Sequence, residues 1–236
     1  MSHLQKCYLS VFILTIVVFC VSCEETNDFD NGFAGSAIVH VRITGDAANA
    51  VDRVALTLSG VGISPAIVGN MERENDSWFA DVRDIPTGAN NRIVRASAFD
   101  SSGVLLADLS VEQVTIAISR SAEIFLYLNT GVRNGSGSLD SAPVIDGLST
   151  SSVEAFTDEV ITLTVKAHDP GSDDALQYTW SADGGFFYSA NSAIASWKAP
   201  SKIGPYKIWV TVSDSTGRQI STSLSVSVVN IPKWSL

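Results

Sequence analysis

Gln219-Ile-Ser-Thr-Ser-Leu-Ser-Val-Ser-Val-Val229 decides the fold of this chain. Ile220, Thr222, Leu224, Val226 and Val228 fall on one side of an extended backbone, and Ser221, Ser223, Ser225 and Ser227 on the other. Strand side chains alternate between faces, so one apolar and one hydroxyl face predict an antiparallel strand packed on a second sheet. Glu159 to Ala167 repeats the pattern, with Ile161, Leu163, Val165 and Ala167 opposed to Thr162, Thr164 and Lys166. Leu176 to Trp180 and Tyr206 to Val212 add further core strands, separated by Asp-Pro-Gly, Asp-Gly-Gly and Asp-Ser-Thr-Gly turns. The C-terminal region is expected to be a two-layer β-sandwich.

Its sequence also carries a resemblance. Ala142-Pro-Val-Ile145, Ala167-His-Asp-Pro-Gly171, Tyr178-Thr-Trp-Ser181, Trp197-Lys-Ala-Pro200 and the run from Tyr206 to Asp214 with Gly217 resemble a PKD-type domain of bacterial surface proteins. The resemblance implies an immunoglobulin-like sandwich over residues 142–231, with Trp180 at the core position of a central strand and Tyr206 at the tyrosine corner. Ile208 stands two residues after that tyrosine, where immunoglobulin domains place a cysteine, so packing replaces the disulfide. It also implies an extracellular spacer or recognition role, not a reaction.

Upstream, residues 36–130 read as a second sandwich. Ala37, Val39, Val41 and Ile43 share one face, Val54, Leu56 and Leu58 continue the alternation, and Trp78–Val82, Arg92–Phe99, Val104–Leu106 and Ala122–Leu128 follow. Asp84-Ile-Pro-Thr-Gly88, with the strand from Arg92 to Asp100 and Gly103, is similar to carboxypeptidase-regulatory or transthyretin-like sandwiches. Between the two regions, residues 131–141 have the Gly, Ser and Asn content of a linker. The fold class is thus all-β: two immunoglobulin-like antiparallel sandwiches, expected as beads on a string.

The first 22 residues have a different chemistry. Cys7 to Val21 is an uncharged run of about 15 residues, the length of an export-signal core and short of the roughly 20 that span a bilayer. Val21-Ser22-Cys23 resembles the lipobox of bacterial lipoproteins, with Cys20 where an aliphatic residue is usual. The resemblance implies cleavage before Cys23 and lipid attachment (palmitate among the chains) to its thiol. Cys7 and Cys20 would leave with the signal, so Cys23 would be an unpaired exported thiol, for which acylation supplies a reason. One acyl chain holds a protein marginally and several hold it firmly. Residues 23–35 are acidic and poor in apolar groups, the composition of a tether. With Glu24 rather than Asp after the cysteine, the resemblance favours the outer membrane.

The chain has 25 acidic against 15 basic residues and a net charge of −10. Removing the signal takes away Lys6 and no acid, and no basic cluster interrupts the rest, so nucleic acid is excluded as a partner. The expected partners are the membrane, through the lipid, and a surface protein or polysaccharide. An enzyme is not expected. Beyond the signal only His40 and His168 remain, in different regions, and no Gly-x-Ser-x-Gly, His-Glu-x-x-His or phosphate-binding glycine loop is present. Both histidines read as solvated groups on a strand face and at a strand end.

Two candidate sites stand out. Asp169, Asp173 and Asp174 bring three hard carboxylates into one turn, a set suited to calcium, although aspartate beside Pro and Gly also simply forms turns. No cofactor is expected, and calcium is the single candidate metal beside the turn-only reading. On the strand from Tyr206 to Val212, turning Tyr206, Ile208 and Val210 inward sends Trp209 outward, and Phe186-Phe187-Tyr188 follows Gly184-Gly185. Trp209, Phe187 and Tyr188 are therefore the candidate stacking residues for a sugar or protein. The expected function is non-catalytic display of two modules for adhesion, protein interaction or envelope assembly, with carbohydrate binding as the alternative.

Overall fold

The computed structural model describes residues 34–130, 142–170 and 175–230. The first sandwich is built from β1 (Ala34–Thr44), β2 (Arg53–Gly60), β3 (Ile63–Asn70), β4 (Glu72–Glu74), β5 (Ser77–Pro86), β6 (Gly88–Phe99), β7 (Leu105–Ile116) and β8 (Ser121–Asn129). The second contains β9 (Val144–Thr150), β10 (Glu154–Phe156), β11 (Val160–His168), β12 (Gln177–Ala182), β13 (Phe186–Phe187), β14 (Ile194–Lys198), β15 (Gly204–Ser213) and β16 (Gln219–Val229). The all-β immunoglobulin-like class follows from their order. In the second sandwich, β9-β11-β14-β13 faces the four-stranded sheet β10-β16-β15-β12, the four-plus-three division of immunoglobulin constant-type domains with the short β10 added at one edge. Most pairs are antiparallel, but β1 pairs with β8, and β10 with β16, in parallel.

Local chemistry explains the elements. Leu224, Val226 and Val228 of β16 are buried while the intervening serines Ser225 and Ser227 are exposed. Trp180 is buried and gives its indole N–H to the Ser192 carbonyl at 2.8 Å. Its strand ends the sheet order instead of lying centrally. The backbone N–H of Trp180 bonds to Ala190 at 2.9 Å, so the following loop covers that edge. Tyr206 donates its hydroxyl proton to the Lys202 carbonyl at 2.9 Å, four residues upstream, as a tyrosine corner does. Ile208, in the cysteine position, is fully buried.

The two sandwiches share one sheet. Its eight strands run β13-β14-β11-β9-β8-β1-β5-β4, joined where β8 pairs antiparallel with β9 from Glu123↔Thr150 to Leu126↔Gly147. Residues directly opposite on neighbouring strands point to the same face. Val41, Leu126 and Gly147 therefore lie on one face, where β3-β2-β6-β7 packs. His40, Phe125, Leu148 and Val165 lie on the other, where the second core is built. The two cores thus sit on opposite faces of a common layer, and Phe125 and Tyr127 of the first sandwich pack against the second core.

This arrangement replaces beads on a string. The linker, residues 131–141, lies outside the described residues, but the strands on either side of it are hydrogen-bonded to each other. Gly147 makes the close approach fit. A Cβ there would lie 2.4 Å from Val111 Cγ2 of β7 and 2.9 Å from the Phe125 carbonyl. Lys166 reaches across the same face to donate to the Ser110 carbonyl at 2.6 Å, and Val153 N–H bonds Ser121 O at 2.8 Å.

Candidate functional site

Glycine geometry sets the aromatic patch at the edge of the shared sheet. Gly185 has φ 82°, and a Cβ on it would come within 2.5 Å of the Lys198 carbonyl and 2.6 Å of Trp197 Nε1. The chain can hug β14 only because that Cβ is missing. β13 then pairs Phe186 with Lys198 and Phe187 with Trp197, and Trp197 is fully buried. Alternation therefore sends Phe187 inward, its ring 6.5 Å from that of Trp180 and against the second core. Phe186 goes outward, 59% exposed, and Tyr188 joins it, 62% exposed. Their rings meet edge to face at 5.2 Å.

Phe187 is thus partly buried against the second core, and Phe186 takes its expected place beside Tyr188. Opposite Phe186 on the same outer face lie Lys198 and then Val160, which is also exposed. Lys198 Nζ sits 2.9 Å from Asp158 Oδ1, and Ser201 donates to Asp158 Oδ2 at 3.0 Å. The hydrogen bond with Asp158 raises the lysine pKa, and that with Lys198 lowers the carboxyl's. Trp209 belongs to a different sheet. It lies half-buried on the outer face of β15 between Ser181 and Ser223, with Lys207 Nζ 5.6 Å from its ring centre. Trp209 and the Phe186–Tyr188 pair are therefore two separate surfaces.

Of the proposed calcium ligands, Asp173 and Asp174 lie outside the described residues, as does Cys23. Among the described residues no group of three His, Cys, Asp or Glu side chains is placed to hold a metal ion. The neighbouring His168 is 32% exposed at its strand end and also has a partner. Its Nδ1 lies 2.7 Å from Oδ2 of Asp146, a carboxylate buried in the register shift between β9 and β11. His40 is held by ring contacts, stacked on Phe125 at 4.9 Å and tilted against Phe79 at 5.6 Å, and its buried Nε2 lies 3.2 Å from Glu123 without hydrogen-bond geometry. His168 thus ties β11 to β9 within the second sandwich, and His40 packs within the first, against the Phe125 ring that reaches the second core.

A cleft of about 550 Å³ opens beside that junction. Asp81, Arg83, Asp84, Arg120 and Glu154 line it, together with the start of β1. Its cations are committed: Arg83 is paired with Asp81 at 2.7 Å and Arg120 with Glu159 at 2.8 Å. Arg92, a buried guanidinium in the first sandwich, is satisfied by oxygens of Pro86, Thr87, Val61 and Asn91 instead of a carboxylate. Burial lowers its pKa. It ties the 60–62 turn to the β5–β6 turn.

Two of the hairpins close on the same turn device. Asp100-Ser-Ser-Gly-Val104 and Asp214-Ser-Thr-Gly-Arg218 close the β6–β7 and β15–β16 hairpins in the same way. Each aspartate Oδ1 accepts from the N–H and hydroxyl of the residue two on and from the N–H four on, all at 2.7 to 2.9 Å. Gly103 and Gly217 follow with φ of 86° and 85°.

No protein-family model matches the chain, and no curated protein matches it. Among solved structures it is similar to the PKD domain from the KIAA 1837 protein, at 28% identity over 33% of this chain and 78% of that one, with a TM-score of 0.27. A domain of intimin matches at 12% identity over 82% of this chain and all (100%) of that one, with a TM-score of 0.32. A nucleoside hydrolase-related protein from Saccharophagus degradans, associated with carbohydrate metabolism, matches at 20% identity, TM-score 0.29, over 38% of this chain and only 25% of its own length. The fold itself stands on the strand order and alternating burial of this chain.

Proposed function

We propose that the chain is a non-catalytic, lipid-anchored protein of the cell envelope that presents two β-sandwich modules as one rigid unit for adhesion, protein interaction or envelope assembly. The observation that carries this reading is the shared eight-stranded sheet. A pair of modules fixed on opposite faces of one layer transmits position and load, whereas a substrate cleft between modules works by relative motion. Charged groups that cross the junction serve that fixation: Arg120 holds Glu159, and Lys166 holds the Ser110 carbonyl.

The anchor rests on Cys23 and the apolar run before it. Membrane fractionation with mass spectrometry of the mature N-terminus tests it. The wild type is expected in the membrane fraction with an acylated Cys23 at its start, and Cys23→Ala in the soluble fraction. An unmodified Cys23 in membrane-bound protein overturns the anchor. Pull-down from isolated envelopes with the purified protein identifies the partner.

The exposed Phe186 and Tyr188 favour a second reading, carbohydrate binding at the sheet edge. Aromatic faces with polar neighbours stack on sugar rings. A glycan array separates the two: specific polysaccharide binding lost in Tyr188→Ala supports the second, and an empty array with a protein captured from the envelope supports the first.

A further inference from the structure

We propose that β3 is the surface through which two copies of this chain associate, antiparallel and edge to edge about Val68. β3 ends its sheet, pairing with β2 alone in the order β3-β2-β6-β7. Its eight residues, Ile-Ser-Pro-Ala-Ile-Val-Gly-Asn, carry no charge in a chain of net charge −10. An uncharged exposed edge is a template for strand pairing. The other edges are guarded. β4 is Glu-Arg-Glu, β13 has two residues and β10 three, the loop after β12 bonds to its edge, and β7 is approached by Gly147 and Lys166.

Register shows which groups are on offer. Met71 N–H bonds Val54 O at 2.9 Å, and Leu56 opposes Gly69 and Leu58 opposes Ile67. In an antiparallel ladder alternate residues turn their peptide groups to the same side. Residues 67, 69 and 71 thus face β2, and Ala66, Val68 and Asn70 present N–H and C=O outward. Among the described residues no hydrogen bond covers that edge.

The side chains make the strand complementary to itself. With Val68 opposite Val68 of a second copy, Ala66 falls opposite Asn70, and all these pairs lie at hydrogen-bonded positions. Val68, 69% exposed on the outer face beside Thr57, meets its own counterpart. On the inner face Ile67, which touches the first core, falls opposite Gly69, around whose missing Cβ there is open space to 4 Å. A large residue therefore meets a gap twice across the two-fold axis. Pro65 interrupts regular strand geometry at one end of the ladder, and charged Glu72 follows at the other. Two four-stranded sheets would join into one of eight. A contact of this length is smaller than a standard stable interface, so the association is reversible and weak.

Sedimentation velocity of the full chain in detergent, across a concentration series, together with amide hydrogen exchange, tests this. The expected result is a monomer–dimer equilibrium in which Val68 and Asn70 amides slow as concentration rises. Val68→Lys should weaken association at least tenfold, about 1.4 kcal/mol, while β2 and β6 amides keep their protection, which shows that the fold is intact. Asn70→Pro, which removes one outward N–H and adds no charge, should weaken it as well. A monomer with rapid Val68 and Asn70 exchange at every concentration overturns the proposal. So does a dimer indifferent to both variants, and so does protection of Val68 that appears only when an unrelated extended peptide is added.

Discussion

Arg120, in the turn between β7 and β8, closes on Glu159 of the second sandwich, its Nη2 lying 2.9 Å from Oε1 and 2.8 Å from Oε2. Glu159 Oε2 also accepts the Phe156 N–H at 2.6 Å, and the guanidinium sits 4.1 Å above the Phe156 ring. The side chains are only 17% and 29% exposed, so water screens the pair less than a surface bridge. This clamp lies at the junction where both sandwiches meet.

Removing the clamp should loosen one module from the other. Arg120→Ala is expected to cost about 1.5 to 3 kcal/mol, the range for hydrogen bonds to a charged group. Arg120→Lys should recover only part, because an ammonium lacks the planar face that stacks on Phe156. Urea unfolding followed by fluorescence, with Trp78 reporting on the first core and Trp180 and Trp197 on the second, checks this. One coincident transition in the wild type and two separated ones in Arg120→Ala are expected. Coincident transitions in both proteins would mean that β8–β9 pairing alone couples the modules.

Gly147 should tolerate no side chain. Gly147→Val places its Cβ against Val111 Cγ2 and the Phe125 carbonyl, and a β-branched group fills space that β7 already occupies. Overpacking of this kind costs about 1 to 3 kcal/mol. Val111→Ala in the same chain opens room and should return part of the loss. A double-mutant cycle by urea denaturation measures the coupling.

What the sequence discloses depends on whether one face or two are buried. β16, β11 and β15 were legible because each has an apolar face and a polar face. β9 was not, because Asp-Gly-Leu-Ser-Thr is buried on both sides and shows no alternation. β3 is hidden in the sequence for the opposite reason: it is largely exposed on both sides and contains Pro65. The shared sheet comes from pairing across residues 131–141, a non-local choice that no periodicity records. The exchange of Phe187 for Phe186 turns on the β13–β14 register, which Gly185 fixes through its contact with Lys198 and Trp197.

The twin aspartate turns predict an acid limb of stability. Asp100 lies below the usual carboxylate range of about 3.8, chiefly through the Ser102 hydroxyl. Burial pushes Asp214 upward, but bonds from Thr216, Arg218 and Gly217 outweigh it and bring it below that value. Asp108 is lowered first by its hydrogen bond from Arg95. A group whose folded pKa is depressed binds its proton more weakly in the native state than in the unfolded one. Its contribution is therefore complete above the unfolded value and is lost as pH falls from about 4 through the lower folded values. Urea midpoints between pH 2 and 6 check this. Asp214→Asn keeps an acceptor oxygen and should flatten the limb, while Asp214→Ala should lower the midpoint at every pH.

The aromatic cluster separates packing from recognition, because neighbouring residues face opposite ways. Phe187→Ala removes a ring that touches Trp180 and the second core, and should cost about 2 kcal/mol, below the 3 to 5 of a fully buried ring. Phe186→Ala and Tyr188→Ala remove mainly exposed surface and should stay within about 0.5 kcal/mol of wild type. If the sheet edge binds a sugar or a partner, these two variants lose binding at unchanged stability. Phe187→Ala then binds normally under conditions where it is folded. Measuring urea midpoints and binding on the same three proteins distinguishes the roles, since a Tyr188→Ala protein as destabilised as Phe187→Ala would make the edge a packing feature and remove it from any account of recognition.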